Sequence, residues 1–448
     1  MLASYLAHFR SLGRNAKLYL ISNAIGAVAT GAVVVLYTLY LAALGYDTGF
    51  IGLLAVVGTL GGALGILPSQ PLVNRFGWRT MLIWSNLVGG VAVFLQLVVP
   101  LAPVLIVTTI AVGASVAIYL VINSPLLAAN SAPEQHTAVF GLNAALQFLA
   151  AIAGSLLGGW LPTWFAQSSV RTSGIIRLLN PLLLPSADAR TYQLALLVSG
   201  AVAVPMMLPI LLMRDQPVVS ESPQPVSQWL ALPSRTQLSG WVSDVREAAQ
   251  GVIGRFTLSQ ALLGFGAGLW FPYISLYVVN QLHASTAFYG LLTSVLTVLM
   301  ALAALLSASL ADRFGTIPTA VLPYLASLPF LIAIGLFPVV PIVAVAYLLR
   351  GTLVNFAGPA VTAFLMGAVP ERRRVVANGA YNVSYQVAWA IGAQVGGLIV
   401  GAAGYRLPFL VAAPCYAASA LLLAFWFWRW HAPSSVPAHE EAPSHSAV

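Results

Sequence analysis

Residues 52–77 read GLLAVVGTLGGALGILPSQPLVNRFG, and residues 290–315 read GLLTSVLTVLMALAALLSASLADRFG. The two align without a gap, opening on Gly-Leu-Leu and closing on Arg-Phe-Gly. Each is an apolar run of about the 20 residues that cross a bilayer, stopped by an arginine and a glycine. The agreement continues downstream. SAPEQ (131–135) answers AVPER (368–372), and Asn143, Gln147, Gly158 and Gly159 mirror Asn382, Gln386, Gly396 and Gly397 with a slip of one residue. Anchors kept in register through several segments mark two homologous halves.

Composition says what the halves are made of. Of 448 residues, 59% are hydrophobic and 7% charged, and the mean hydropathy is +0.90. A soluble domain carries about 25% charged residues, so most of this surface faces lipid. The apolar runs are helical in length and lack the roughly ten-residue alternation of a membrane β-barrel. Spans are expected near residues 17–44, 49–73, 78–99, 103–129, 136–166, 191–213, 252–281, 287–311, 316–338, 341–368, 374–403 and 406–430. The fold class is therefore an all-α polytopic membrane protein of about twelve helices in two pseudo-symmetric six-helix bundles. Its expected parts are an N-terminal bundle (1–213), a Pro-, Ser- and Gln-bearing cytoplasmic linker (214–250) with a short surface helix near 238–249, a C-terminal bundle (251–430) and a disordered tail (431–448).

The net charge of +8 resides in loops. Arg10, Arg14, Lys17, Arg75, Arg79, Arg214, Arg313 and Arg372 to Arg374 fall on one side; Arg171, Arg177, Arg190 and Arg406 fall on the other. The positive-inside rule makes the first side cytoplasmic, with both termini there, in an inner or plasma membrane. The basic loop 167–190 runs against that rule. No basic patch with interleaved aromatics suggests nucleic acid. Lys17 is the sole lysine and no Gly-rich loop precedes it, which excludes a Walker A site; the six histidines lack metal-ligand spacing, and no GxSxG elbow occurs. No enzyme activity, cofactor or metal is expected. Cys415, the single cysteine, cannot form an intrachain disulfide and reads as an apolar filler.

The loop between the second and third spans, QPLVNRFGWRT (70–80), resembles the Gly-x-x-x-Asp-Arg-x-Gly-x-Arg-Arg/Lys hallmark of the major facilitator superfamily. It keeps Arg75, Gly77 and Arg79 and has Gln70, Asn74 and Thr80 in place of the others. The second-half copy, ASLADRFGTIP (308–318), keeps Asp312, Arg313 and Gly315. Within that superfamily the GSLLGGWL run (154–161) is similar to a proline-less form of the glycine motif of drug and metabolite exporters. Gly154, Gly158, Gly392, Gly396 and Gly401 also suit close helix packing. The resemblance implies alternating access between the halves, with Asn74, Arg75, Gly77, Arg79, Asp312, Arg313 and Gly315 as a gating motif and the first, fourth, seventh and tenth helices lining the cavity.

Polar and aromatic side chains concentrate on those helices and on the fifth and eleventh: Asn23, Thr30 and Tyr37; Tyr119 and Asn123; Asn143 and Gln147; Gln260, Trp270, Tyr273 and Tyr277; Asn355; Tyr381, Asn382, Tyr385 and Gln386. In AYLLRGTLVNFAGP (346–359), Arg350 sits mid-span, where a charge costs roughly 3 kcal/mol or more and is functional by default. It either binds substrate or is satisfied by carbonyls and amides such as Asn355, or by snorkelling. Every carboxylate lies in a loop, at a helix end or in the tail, which disfavours a cationic substrate. The expected substrate contacts are Arg350, Asn355, Tyr37, Asn123, Asn143, Gln147, Trp270, Tyr273, Tyr381, Tyr385 and Gln386. The expected function is secondary transport, by a monomer, of a small amphipathic or anionic organic molecule outward, with or without coupling to a proton or other ion. The alternatives are uptake or facilitated diffusion of a neutral solute such as a sugar, and a receptor or assembly factor on the same fold.

Overall fold

In lipid, every backbone N–H and C=O must find its partner inside the segment, so long apolar runs become helices. The computed structural model describes residues 12–132, 135–167, 180–214 and 251–428. The expected linker helix near 238–249, most of the linker and the tail lie outside these residues. Among the described residues there are twelve helices long and apolar enough to cross a membrane. They are α1 (Arg14–Ala43), α2 and α3 (together Thr48–Val98, divided at Gly77), α4 (Ala102–Ala129), α5 (His136–Phe165) and α6 (Ala187–Leu211). The second half supplies α7 (Val252–Gln281), α8 (Thr286–Phe314), α9 (Thr316–Leu336), α10 (Val340–Ala368), α11 (Arg374–Ala403) and α12 (Arg406–Phe427).

The repeat read from sequence is a repeat in space. Gly77 (φ 80°, ψ 160°) and Gly315 (φ 90°, ψ 156°) turn α2 into α3 and α8 into α9 with one backbone conformation, in the positive-φ region that favours glycine. Tyr40 on α1 donates to the carbonyls of Gln96 and Leu97, closing the C-terminus of α3. Tyr277 on α7 donates likewise to Ile334 at the end of α9.

Both described chain ends lie at one end of the bundle, and the halves are held together at the other, far end. There α2 packs on α11 and α5 on α8, along two matching seams. A Cβ at Gly397 would stand 2.1 Å from the Thr48 carbonyl oxygen, and one at Gly52 would stand 2.7 Å from that of Ala393. In the second seam a Cβ at Gly159 would stand 2.7 Å from the Thr286 carbonyl oxygen, and one at Gly290 would stand 2.5 Å from that of Ser155. Thr48 Oγ1 donates to Gly397 O (2.7 Å) and Ser294 Oγ to Ile152 O (3.2 Å). Between the seams Thr38 and Ser275 share a hydrogen bond of 2.6 Å. The glycines expected to suit close packing do have packing partners: Gly154 meets the Val28 backbone, Gly158 meets Ala32, and Gly392 and Gly396 meet Phe265 and Leu269. Gly401 makes only ordinary contact with Thr48.

Candidate functional site

The C-terminal half carries a buried cation in an aromatic setting. Pro272 has no N–H to give, and α7 passes there through a 3₁₀ turn (Phe271–Tyr273) and then a wide π turn (Tyr277–Gln281). Trp270, just before this break, faces α10 and α12. Its ring centroid lies 4.2 Å from the Arg350 guanidinium carbon, and the Tyr416 ring on α12 lies 4.6 Å away on that same group. Trp270 and Tyr416 are each 1% exposed and Arg350 is 5% exposed. Tyr347 and Tyr385 lie within electrostatic reach of the charge.

Two desolvated cation–π contacts, each worth up to about 2 kcal/mol, are of the size needed to offset the roughly 3 kcal/mol insertion cost of an arginine. They leave part of its hydrogen-bonding capacity unused. Nε and Nη2 are buried without an acceptor among the described residues. Asn355 is not the partner expected for it. Five residues on, it points roughly 140° round the helix, is exposed, and donates to Gly351 O at 2.8 Å. Snorkelling is excluded as well by the burial of Arg350.

In the N-terminal half, amides gather around Asn23. Its Nδ2 donates to Asn143 Oδ1 (3.0 Å) and, more weakly, to Asn123 Oδ1 (3.5 Å), and Tyr19 donates to Asn123 at 3.1 Å. Tyr119 stacks on Tyr19 with centroids 6.3 Å apart. Asn143 is buried, while Asn123 and Gln147 are half-buried. Tyr37 holds a buried hydroxyl near Thr109, without a well-formed hydrogen bond among the described residues.

Other expected contacts sit elsewhere. Tyr273 is buried in the α2–α11 seam, where its hydroxyl donates to Ala393 O. Tyr381 and Tyr385 are half-buried on α11 with ring centroids 6.4 Å apart, and Gln386 is exposed beside them. The cluster around Asn23 and the box around Arg350 are thus two separate groups, one in each half. Sequence reading missed Tyr416 and Tyr19. Tyr416 stands on α12, outside the helices expected to line the cavity, and the inward face of α12 carries no charge or amide that would have singled it out.

The motif loops occupy the end near the termini. Asn74, Arg75, Asp312 and Arg313 are exposed there, and each arginine lies over the following phenylalanine, at 5.3 Å for Arg75 and 5.4 Å for Arg313. Arg79 instead donates to Leu211 O (2.8 Å), and Arg14 donates to Leu212 O (3.2 Å). Both place positive charge on the C-terminal carbonyls of α6, where the helix dipole favours it.

A family model described as Major Facilitator Superfamily matches residues 19–250 and 256–448. A search of curated proteins finds no significant match. Solved structures do align over most of the chain. A bacterial homologue of the human lysosomal transporter Spinster, inward-facing and occupied, is 12% identical over 92% of this chain and 95% of that one, with TM-score 0.71. The nucleoside transporter NupG, in a mutant form, is 13% identical over 92% of this chain and 100% of that one, with TM-score 0.70. A D-xylose–proton symporter is 16% identical over 91% and 96%, with TM-score 0.66. At such identities the likeness establishes the fold.

Proposed function

The chain belongs to the Major Facilitator Superfamily, and from that premise we propose that it exports a small amphipathic or anionic organic molecule by alternating access. Arg350 carries the reading: a permanent charge held between two aromatic rings, with two nitrogens lacking acceptors. The described carboxylates lie at helix ends, as with Asp47 capping α2 and Asp188 in the first turn of α6. An anionic group entering beside the rings would supply the missing acceptors, while Trp270, Tyr347 and Tyr385 offer it an apolar wall. On the proposed cytoplasmic placement of the termini, the far-end seams would close the external side and leave the internal side, from which an exporter loads, to admit substrate.

Reconstituted protein and the planar anion 2-naphthoate test this. Binding should weaken about tenfold to a hundredfold in Arg350→Gln, the range for losing a charged hydrogen bond, and less in Arg350→Lys, which keeps the charge but not the planar fork. A folded Gln variant that binds and moves 2-naphthoate like wild type would reject the reading. A second reading, uptake of a neutral polar solute, draws on the amide cluster of Asn23, Asn123 and Asn143. Net accumulation of xylose or a nucleoside by cells carrying the gene would favour it.

A further inference from the structure

Helix α7 also carries buried polar atoms that nothing among the described residues answers. They are Thr257 Oγ1 and, one turn on, both amide atoms of Gln260, whose side chain is 1% exposed. Residues three apart share a helix face. Buried polar side chains nearly always have partners, and each bare one costs about 1–3 kcal/mol. Retaining two on one turn calls for an occupant.

The internal repeat shows what is missing. Gln260 is the positional counterpart of Asn23, at the same 237-residue offset as Thr38 and Ser275. Asn23 is answered by Asn143 and Asn123. At that offset the counterpart of Asn123 is Ala360, which has no polar side chain and is fully buried. Asn382, the mirror of Asn143, is exposed and donates instead to Asn378 O at 2.8 Å. Both partners have been withdrawn and rings stand nearby: Phe256, one turn before Gln260, lies 5.6 Å from Tyr381 and 5.9 Å from Phe364, centroid to centroid.

We propose that Thr257 and Gln260 form a second subsite, which holds a neutral planar group of the transported molecule. That group presents a hydrogen-bond donor beside an acceptor, as the edge of a primary amide, lactam or ureide does, and lies against Phe256 and Tyr381. A glutamine amide offers acceptor and donor in one plane, so it meets such an edge with two bonds. Half-buried Tyr381 and exposed Asn382 mark the side from which it would enter. Ten residues, about 15 Å of helix, separate Gln260 from Trp270, so this subsite and Arg350 grip different parts of a ligand. The proposal rests on the transporter reading but not on the role given to Arg350.

The test titrates purified protein with 2-naphthamide and with N,N-dimethyl-2-naphthamide, which lacks the N–H donor. Wild type should prefer the primary amide by about tenfold, the worth of one to two neutral hydrogen bonds. Gln260→Leu and the longer Gln260→Met should abolish that preference and raise the melting temperature, because a bare amide gives way to an apolar group of similar size. Arg350→Gln, measured alongside, should weaken 2-naphthoate and leave the amide ratio standing, so the two readings fail separately. Absence of the preference in wild type, its survival in either Gln260 variant, or a lowered melting temperature in both would overturn the proposal.

Discussion

Adding one methyl group to either seam should unlock the far end. In Gly52→Ala the new Cβ would lie 2.7 Å from both the Ala393 carbonyl oxygen and the Tyr273 hydroxyl, and 2.8 Å from the Gln394 Cα. In Gly290→Ala it would lie 2.5 Å from the Ser155 carbonyl oxygen and 2.8 Å from the Gly159 Cα. Ordinary carbon–oxygen contact needs more room, and the obstacles are mostly backbone, so α2 and α11, or α5 and α8, must separate. Overpacking of this kind costs about 1–3 kcal/mol. The strain exists only while the seam is shut, so it is paid by one conformation and shifts the equilibrium between them by about fivefold to a hundredfold. The seams are separate, so the double variant should show roughly the sum of the two energies. Spin labels placed at Gly45 and Ala284, on the far-end loops of the two halves, would report the change as a longer-distance population in pulsed electron resonance. Gly141→Ala is the control, since nothing lies within 4 Å of a Cβ there. Unchanged distances in both seam variants, or an equal shift in the control, would refute the reasoning.

Three further expectations concern stability, gating and topology. Asn23→Leu should lower the melting temperature, since it strands Asn143 and Asn123 at about 0.6 kcal/mol or more per lost interhelical bond; a variant as stable as wild type would remove the cluster's structural role. Asp312→Asn should impair transport more than Asn74→Ala, because only Asp312 has a charge to offer a neighbouring helix end when the terminal side closes; equal, negligible losses of flux would argue against a shared gate. Cysteines at Ser220 and Ser173, both beyond the described residues, should react with impermeant reagents from opposite faces of the membrane. Labelling of both from outside would overturn the cytoplasmic placement of the termini.

The architecture was legible because a bilayer accepts few solutions. Apolar length gave spans such as 252–281, matching Val252–Gln281, and the doubled RFG turns gave the halves. The candidate site was legible only in part. A charge among apolar residues announces itself, so Arg350 stood out, but the rings that hold it come from helices 80 residues before it and 66 after it in sequence. No periodicity within α10 encodes those neighbours. The reading of Asn355 as a partner of Arg350 failed on angle: proximity in sequence put it near the charge, and helical geometry turned it away. Gln260 resembled any cavity-lining amide until the repeat offset set it beside Asn23, whose partners its own surroundings lack.

The bond between Thr38 and Ser275 joins equivalent positions of the two halves. In an isologous dimer a residue can meet its own counterpart only on the two-fold axis, so this pair marks that axis, with one seam on either side of it. The shut far end is therefore the self-complementary interface of a dimer whose two subunits have been spliced into one polypeptide. Splicing releases each copy from matching the other, and the second has used that freedom: Arg350 stands where the first copy has Val112 or Gly113, and Gln260 where it has Asn23. Rocking needs the interface to stay symmetric, whereas recognition of an asymmetric molecule needs the interiors to differ. On the proposed roles of Arg350 and Gln260, the shared surface is common to both copies while selectivity falls mostly to the second.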